Sequence, residues 1–336
     1  MAVDFMATLR EKARTAPQRV VFPESGEENI MRAAGQVLDE GIARPILLGS
    51  PSELAGKAAG WRVDLGGIEI VDVSDEEVLG ELAEECHARF PEISAKGAQR
   101  KFRLPLNVGS FFVAAGRADA LVAGLEHATQ DVILASMTFI GMQEGISTPS
   151  SLFLMRVPGF DGPEGELIVF ADCGVTVAPD AAELADIALA TAHTVRALLD
   201  WEPRIAMLSF STRGSGDHES VDRVQEALQM AKDRAPDLLI DGEFQVDAAI
   251  VPAVAARKVP GDSPVAGRAN ILIFPDLNAG NIAYKCVQRF AQADAFGPFL
   301  QGFAKTASDL SRGSSVADIV GVTTMASVHA QGLKRL

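Results

Sequence analysis

Residues 19–48 read RVVFPESGEENIMRAAGQVLDEGIARPILL, and this stretch decides the fold. Arg19–Phe22 is a short apolar run closed by Pro23. Glu27–Glu40 carries apolar residues at helical spacing and stops at Gly41, a residue type suited to ending a helix. Pro45–Leu48 is a second apolar run. A strand, a helix and a strand joined by short connections predict a parallel sheet covered on both faces. Outward, the alternation continues with a helix from Pro51, a strand at Ile68–Val71 and a helix at Asp75–Arg89. Much of Ser94–Ala115 reads as helix, and Ala118–Ala123 as a buried strand before Gly124. Ser151–Arg156 and Glu166–Phe170 flank the turn-rich PGFDGPEGE, as in a hairpin. An alanine-rich helix follows Pro179 and reaches about Leu199. Strands at Arg204–Leu208, Leu238–Ile240 and Ile271–Phe274 then alternate with helices at Glu219–Arg234, Val246–Ala256 and Ile282–Ala293. The last helix covers about Ser315–Ala330.

The chain has 336 residues, of which 48% are hydrophobic, enough for one large or two medium domains. Thirty basic and 45 acidic side chains give a formal net charge of −15. That field opposes nucleic acid and anionic lipid, and an anionic substrate needs a site with its own cations. Cys86, Cys173 and Cys286 form no C-x-x-C pair, which argues against a zinc knuckle or disulfide scaffold and fits a reducing compartment. The N-terminal MAVDFMATLREKARTAPQR reads as a charged amphipathic helix where a signal peptide needs an apolar run. No apolar stretch reaches the roughly 18–20 residues of a membrane helix. The expectation is a cytoplasmic protein with neither membrane nor nucleic-acid partners.

General motifs are missing. Gly56-Lys57 is followed by alanine, so there is no P-loop. No G-x-G-x-x-G follows a strand, and neither G-x-S-x-G nor H-E-x-x-H occurs. His87, His127, His193, His218 and His329 have no metal-ligand spacing.

Four polar, glycine-containing stretches follow or flank expected strands, where open α/β sheets bind ligands. SFSTRGS (209–215) offers hydroxyls, a glycine and Arg213 before a helix, an anion cradle or an ordinary capped loop. FPDLNAGNIAYK (274–285) sets Asn278 and Asn281 around a glycine, a binding turn or simply a turn. GLEHATQD (124–131) brings His127, Thr129 and Asp131 to a strand end, with Thr129 a candidate N-cap. DLSRGSSVAD (309–318) contains Ser315-x-x-Asp318, a capping-box spacing, beside Ser311-Arg312. A hydroxyl, a cation and a carboxylate this close could also supply a donor, a phosphate anchor and a general base.

Taken with VVFPESGEENIMRAA, FADCGVTVAP, IDGEFQVDAAIVP, GPFLQGFAK and DLSRGSSVADIV, the chain resembles the phosphate acetyltransferase (phosphotransacetylase) and phosphate butyryltransferase family over nearly its full length. The resemblance implies two α/β/α domains with a cleft between them, as in isocitrate and isopropylmalate dehydrogenases. It implies a first domain of residues 1–143 plus 303–336, a second of 144–302, and a homodimer. It implies an acyltransferase of EC class 2.3.1 that turns acetyl-CoA and phosphate into acetyl phosphate and CoA. No cofactor would be permanently bound and no metal used, with coenzyme A as co-substrate. By the same resemblance Asp318 is the base, Arg312 holds phosphate and Ser311 donates to the tetrahedral oxygen. Arg89, His127, Thr129, Ser211, Arg213, Ser215 and Asn281 become substrate-binding candidates.

The chain departs from the family at Leu134, which stands where an arginine is usual, and over residues 89–103, which match least well. Val132, Ile133 and Leu134 differ together, which suggests a repacked acyl or partner surface. Alternatives are a butyryl-like acyl specificity, a non-catalytic paralogue that binds CoA or acyl phosphate, and a detached copy of the related C-terminal domain of large malic enzymes. The transferase form Ser311-Arg312-Gly313 argues against the last.

Overall fold

The computed structural model describes residues 5–336, which divide into two compact units, 5–141 with 303–336 and 142–302. In the first, α1 (Phe5–Arg14) precedes β1 (Gln18–Phe22), α2 (Glu28–Asp39), β2 (Ala43–Leu48), α3 (Pro51–Trp61) and β3 (Glu69–Val71). The helix expected at the N-terminus is thus α1; residues 1–4 of that stretch lie outside the described ones. Then come α4 (Glu76–Arg89), α5 (Ala95–Lys101), α6 (Pro105–Ala115), β4 (Ala120–Ala123) and α7 (Thr129–Phe139). The alternation follows from composition: β4 is wholly buried and apolar, as are β1 and β2 apart from Gln18, Arg19 and Arg44 near their starts, as strands covered on both faces must be.

The second unit opens with the antiparallel hairpin β5 (Ser150–Arg156) and β6 (Leu167–Ala171), then α8 (Ala181–Leu199), β7 (Arg204–Leu208), α9 (Glu219–Arg234) and β8 (Leu239–Phe244). It continues with α10 (Val246–Ile250), α11 (Pro252–Lys258), β9 (Ile271–Ile273), α12 (Leu277–Phe290) and β10 (Asp294–Gln301). Its sheet runs β10-β5-β6-β9-β7-β8, antiparallel across β10, β5 and β6 and parallel from β6 to β8. The long buried α8 lies along five of these strands, and α9 packs on α8 and β8. Phe153, Phe170, Phe244 and Phe274 form a core with Ala248 and Ala249 of α10, and Ala279 and Tyr284 of α12 pack against it. The chain then returns to the first unit with β11 (Thr306–Asp309) and α13 (Val316–Leu333), giving an all-parallel sheet β11-β4-β1-β2-β3. There α13 contacts α1 and α2, while α6 and α7 pack together.

Some elements differ from expectation. The helix expected over Val246–Ala256 breaks at Val251, which is extended, because Pro252 lacks the N–H that would continue it. Helix α12 begins at Leu277 rather than Ile282. Asp276 caps it by accepting from the Ala279 N–H at 2.9 Å, so Asn278 and Asn281 are helical and not turn residues. Strands β10 and β11 were not foreseen: β10 contains Gly297-Pro298, and β11 is the small polar sequence TASD, wholly buried.

Candidate active site

Strands β1, β4 and β11 are neighbours, so the loops at their C-terminal ends converge. The residue that joins them is Glu24, two residues past the end of β1 and 2% exposed. Its carboxylate accepts the backbone N–H groups of Gly124, Leu125, Glu126 and His127 at 2.8–3.1 Å, and the His127 Nδ1 at 2.8 Å. Burial pushes the Glu24 carboxyl up, but the bonds from His127, Glu126 and Leu125 outweigh it and hold the group below its ordinary value. With Glu24 ionised, Nδ1 of His127 carries the proton and Nε2 is the ring's second polar position. Gly124 is required here: its φ is +111°, and a Cβ would lie 2.2 Å from Asp309 Oδ1.

Thr129 is the first residue of α7, not its N-cap; that place is Ala128. The Thr129 hydroxyl instead donates to Asp309 Oδ2 at 2.5 Å, tying the β4 loop to the end of β11. Asp309 is 4% exposed, and among the described residues its Oδ1 has no hydrogen-bond partner. Burial raises its carboxyl, the Thr129 bond lowers it, and the Glu24 charge raises it again, for a value of about 6. Two residues on, Ser311 and Arg312 are exposed. Arg312 has no ion pair or side-chain hydrogen bond among the described residues.

Ser315 and Asp318 form a capping box at the start of α13. Ser315 Oγ accepts from the Asp318 N–H at 3.2 Å, and Asp318 Oδ2 accepts from the Ser315 N–H at 2.9 Å and Oγ at 2.8 Å. Asp318 is exposed and its Oδ1 is outside the box. Capping and proton transfer are therefore compatible, one oxygen for each.

Arg89 does not join these groups. It ends α4 with its guanidinium 5.9 Å from the Phe90 ring. Burial lowers the Lys305 ammonium, and the Arg89 charge lowers it further. Lys305 precedes β11 and bonds the Val113 and Ala114 carbonyls, so it marks the opposite end of that strand from Ser311. Leu134 is 66% exposed on α7, so its side chain is not part of a buried, repacked surface in this chain, although Val132 is fully buried.

In the second unit, the loop after β7 is folded around Glu243 of β8, 2% exposed. Oε1 accepts from Ser211 Oγ and the Gly214 N–H, both at 2.7 Å, and Oε2 from Gln225 Nε2 at 2.9 Å. Burial raises Glu243, and these donors bring it below its ordinary value. Ser211 is itself buried and also accepts from the Gly216 N–H at 3.0 Å. The Arg213 charge is already paired: Nη2 lies 2.6 Å from the buried Asp241 carboxylate, and the guanidinium sits 5.3 Å from the Phe244 ring. Ser215 is exposed and accepts from the Thr212 N–H at 2.9 Å. Asn281 donates to the Cys173 carbonyl at 3.1 Å. Its neighbour Gly280 lets α12 approach so closely that a Cβ would lie 2.1 Å from the Asp172 carbonyl oxygen. The Asp172 carboxylate in turn gathers the N–H groups of Gly174, Val175 and Thr176.

Sequence reasoning singled out neither Glu24 nor Glu243 nor Asp309. For Glu24 and Glu243 the available signal was an acidic residue inside or just after an expected strand with no basic residue beside it; Asp309, at the end of the small polar TASD, offered none. Among the described residues no group of three or more His, Cys, Asp or Glu could hold a metal, and no helix is long and apolar enough to cross a membrane.

The architecture is that of a two-unit α/β enzyme. It overlays a 4-hydroxythreonine-4-phosphate dehydrogenase from Klebsiella pneumoniae with a TM-score of 0.57 over 94% of this chain and 98% of that one, at 11% identity, a likeness of fold alone. The phosphate acetyl/butaryl transferase family profile matches residues 4–327. A phosphate acetyltransferase of Thermoanaerobacterium thermosaccharolyticum is 44% identical over 98% of this chain and 100% of its own length. A phosphotransacetylase from Streptococcus pyogenes superposes with a TM-score of 0.89 at 39% identity, covering 98% and 99% of the two chains. The chain belongs to the phosphate acetyl/butaryl transferase family, and it is an acyltransferase.

Proposed function

We propose that this enzyme converts acetyl-CoA and phosphate to acetyl phosphate and CoA, and the reverse. The observation that carries the assignment is the loop after β11: Arg312 exposed and, among the described residues, unpaired, Ser311 beside it, and Asp318 with one oxygen capping α13 and the other outside that box. In a chain of net charge −15, an uncommitted arginine is what a phosphate-bearing substrate requires.

The chemistry follows from the groups. Coenzyme A is a thiol with an ordinary pKa near 8.5, mostly protonated at neutral pH. Asp318 accepts that proton, and the thiolate forms a C–S bond to the carbonyl carbon of acetyl phosphate. Ser311 donates to the tetrahedral oxygen while Arg312 stabilises the phosphate as its C–O bond breaks. In the opposite direction a phosphate oxygen attacks the thioester, and the departing thiolate recovers its proton from Asp318. His127 and Thr129, held by Glu24 and Asp309, shape the near side of this loop cluster. Ser215 and Asn281 are proposed to contact substrate, whereas Ser211 and Arg213 act by keeping the β7 loop folded.

Coenzyme A enters and leaves as a co-substrate, with no permanently bound cofactor. A cytoplasmic setting is supported by three unpaired cysteines. A homodimer is supported by α12, where Ile282, Cys286 and Phe290, spaced four residues apart, are all exposed, Phe290 at 87%. Leu134, the reason to consider an altered acyl group, faces solvent, so acetyl is the preferred acyl group. The test is release of free thiol from a panel of acyl-CoAs on addition of phosphate. Acetyl-CoA is expected to react fastest; faster butyryl turnover overturns the acetyl assignment, and no phosphate-dependent thiol release overturns the enzyme.

A further inference from the structure

Glu24 and Asp309 do more than fold the loops at the ends of β1, β4 and β11: each takes up the hydrogen of a neighbouring side chain. Thr129 Oγ donates to Asp309 Oδ2 at 2.5 Å, and the His127 ring meets Glu24 Oε1 through Nδ1 at 2.8 Å. An ionised carboxylate can only accept. Glu24 stays ionised because the bonds from His127, Glu126 and Leu125 outweigh its burial. Asp309, raised by burial to about 6, is ionised above neutral pH. In both pairs the shared hydrogen therefore belongs to the side chain that follows β4.

What remains on the two side chains is then fixed. A hydroxyl has one hydrogen and two lone pairs, and a neutral imidazole has one N–H and one bare nitrogen. With their hydrogens committed, Thr129 Oγ and the neutral ring's His127 Nε2 offer a ligand only lone pairs. Neither residue is sealed off, since both are part-exposed. Ser311 and Arg312, in the loop that Asp309 begins, have hydrogens to give, and any oxyanion accepts those. Donors in one loop and acceptors in the next suit an oxyanion that still bears a hydrogen. Monohydrogen phosphate does. Sulfate has the same charge and the same tetrahedral shape but no hydrogen, so its oxygens meet the two acceptors lone pair against lone pair.

Resting on the phosphate acyl transfer proposed above, we infer that Thr129, oriented by Asp309, selects monohydrogen phosphate over sulfate by accepting its P–OH hydrogen, with His127, oriented by Glu24, as a second acceptor in the same loop. The buried charge of Asp309 thereby has a use. An asparagine there turns either its oxygen or its NH2 toward Thr129, and the sense of the hydroxyl is no longer fixed.

The test uses the full chain and reads binding, so it does not depend on turnover. Phosphate and sulfate are titrated calorimetrically into wild type, Thr129→Val and Thr129→Ser at about pH 8, where Asp309 is ionised, with and without coenzyme A, a mixture that has no acyl group to transfer. Wild type is expected to bind phosphate at least tenfold more tightly than sulfate. Thr129→Val removes the acceptor with little change of shape. It should weaken phosphate by roughly fivefold to tenfold, the scale of one hydrogen bond, and leave sulfate within about twofold or bind it more tightly. Thr129→Ser should restore the preference. Equal affinity of wild type for the two anions, or no binding of either, overturns the inference, and that comparison requires no variant to fold. So do equal losses of both anions in Thr129→Val, the mark of a merely structural role, and phosphate binding that Thr129→Val leaves unchanged. Failure of the thiol-release assay with the phosphate preference and its loss in Thr129→Val intact would count against the proposed reaction and not against the oxyanion selection.

Discussion

Glu24 in the first unit and Glu243 in the second each sit almost fully buried beside a βα loop and gather that loop's donors. Glu24 takes four successive backbone N–H groups and an imidazole; Glu243 takes a hydroxyl, one N–H and an amide. The cations beside them differ. Arg213, in the loop folded by Glu243, is joined to Asp241, which also receives Ser263 Oγ at 2.6 Å and has Lys232 3.4 Å away. Arg312, in the loop next to the Glu24 hub, is joined to nothing among the described residues. Two arginines in glycine-containing, serine-rich loops therefore differ, one building its loop and the other without a partner among the described residues and proposed to meet substrate. A charge counts toward binding only after its internal partners are subtracted.

Exchanging the two arginines for glutamine tests that difference most severely. Arg312→Gln is expected to lower kcat/KM by roughly a hundredfold to a thousandfold, the scale of losing one group that stabilises developing charge. It should leave Tm almost unmoved, because the residue is exposed. Arg213→Gln should show the reverse pattern: loss of about 1–3 kcal/mol of stability from an under-partnered Asp241, with the smaller kinetic effect. Steady-state kinetics and thermal melts on both variants decide it. An Arg213→Gln protein with wild-type Tm and a collapsed kcat/KM would break the comparison.

Asp318 sharpens the same point on one side chain. Asparagine keeps an acceptor for the Ser315 N–H, so Asp318→Asn preserves the capping box and removes only the proposed base. The expected result is a fall in kcat of about a hundredfold with Tm retained. A retained kcat would reduce Asp318 to a helix cap.

The carboxylate hubs give the next effect, read in stability. Glu24→Gln turns an amide NH2 toward some of the donors the carboxylate now accepts, and about 2 kcal/mol should be lost near neutral pH. The folded-state pKa of Glu24 is depressed, so its contribution is present above the ordinary glutamate value and disappears as pH falls through the depressed one. Asp309 has the opposite sign. Its carboxyl at about 6 lies above the unfolded value, so the folded state holds its proton more tightly. Wild type should lose stability relative to Asp309→Asn as pH rises from about 4 to about 6, by roughly 1–3 kcal/mol. Burial acts most on Asp309, followed by the Thr129 hydroxyl, the Glu24 charge and the Leu310 N–H. Melting curves of both proteins across that range read the sign directly, and parallel curves would contradict it.

The strand–helix alternation was legible because buried parallel strands are written in valine, isoleucine and leucine, as in β1, β2 and β7. Strand β11 was not, since TASD has no apolar pattern, and its burial is a tertiary fact created by β4 alongside it. The start of α12 was misplaced because asparagine and glycine suggest a turn. Gly280 is instead a helical residue where α12 meets the Asp172 carbonyl. In the site, the DLSRGSSVAD stretch was legible as both cap and catalytic candidate, and the structure contains the cap. Glu24, Asp172 and Glu243 lie inside stretches that carried the family resemblance, yet Glu24 and Glu243 collect N–H and O–H groups from other loops, and Asp172 folds the loop that follows it. Nothing in the linear spacing around Glu24 records partners about 100 residues away.

Leu134→Arg carries the smallest expected effect and returns to the question of which charges are free. The sequence suggested a repacked surface on which an arginine would be buried and costly. Leu134 is instead 66% exposed one turn into α7, while Val132 and Ala135 carry the buried face. An arginine there projects into water, so stability should stay within about 0.5 kcal/mol of wild type. If its guanidinium also reaches a substrate anion, KM for phosphate falls by up to about tenfold, one charge-assisted contact at the weak end of its range. The measurements are Tm and KM for phosphate and coenzyme A on the same protein. A loss of many degrees in Tm would mean that this face of α7 is covered in the assembled enzyme. In that case the exposure of Leu134 in a single chain would not describe its environment at work.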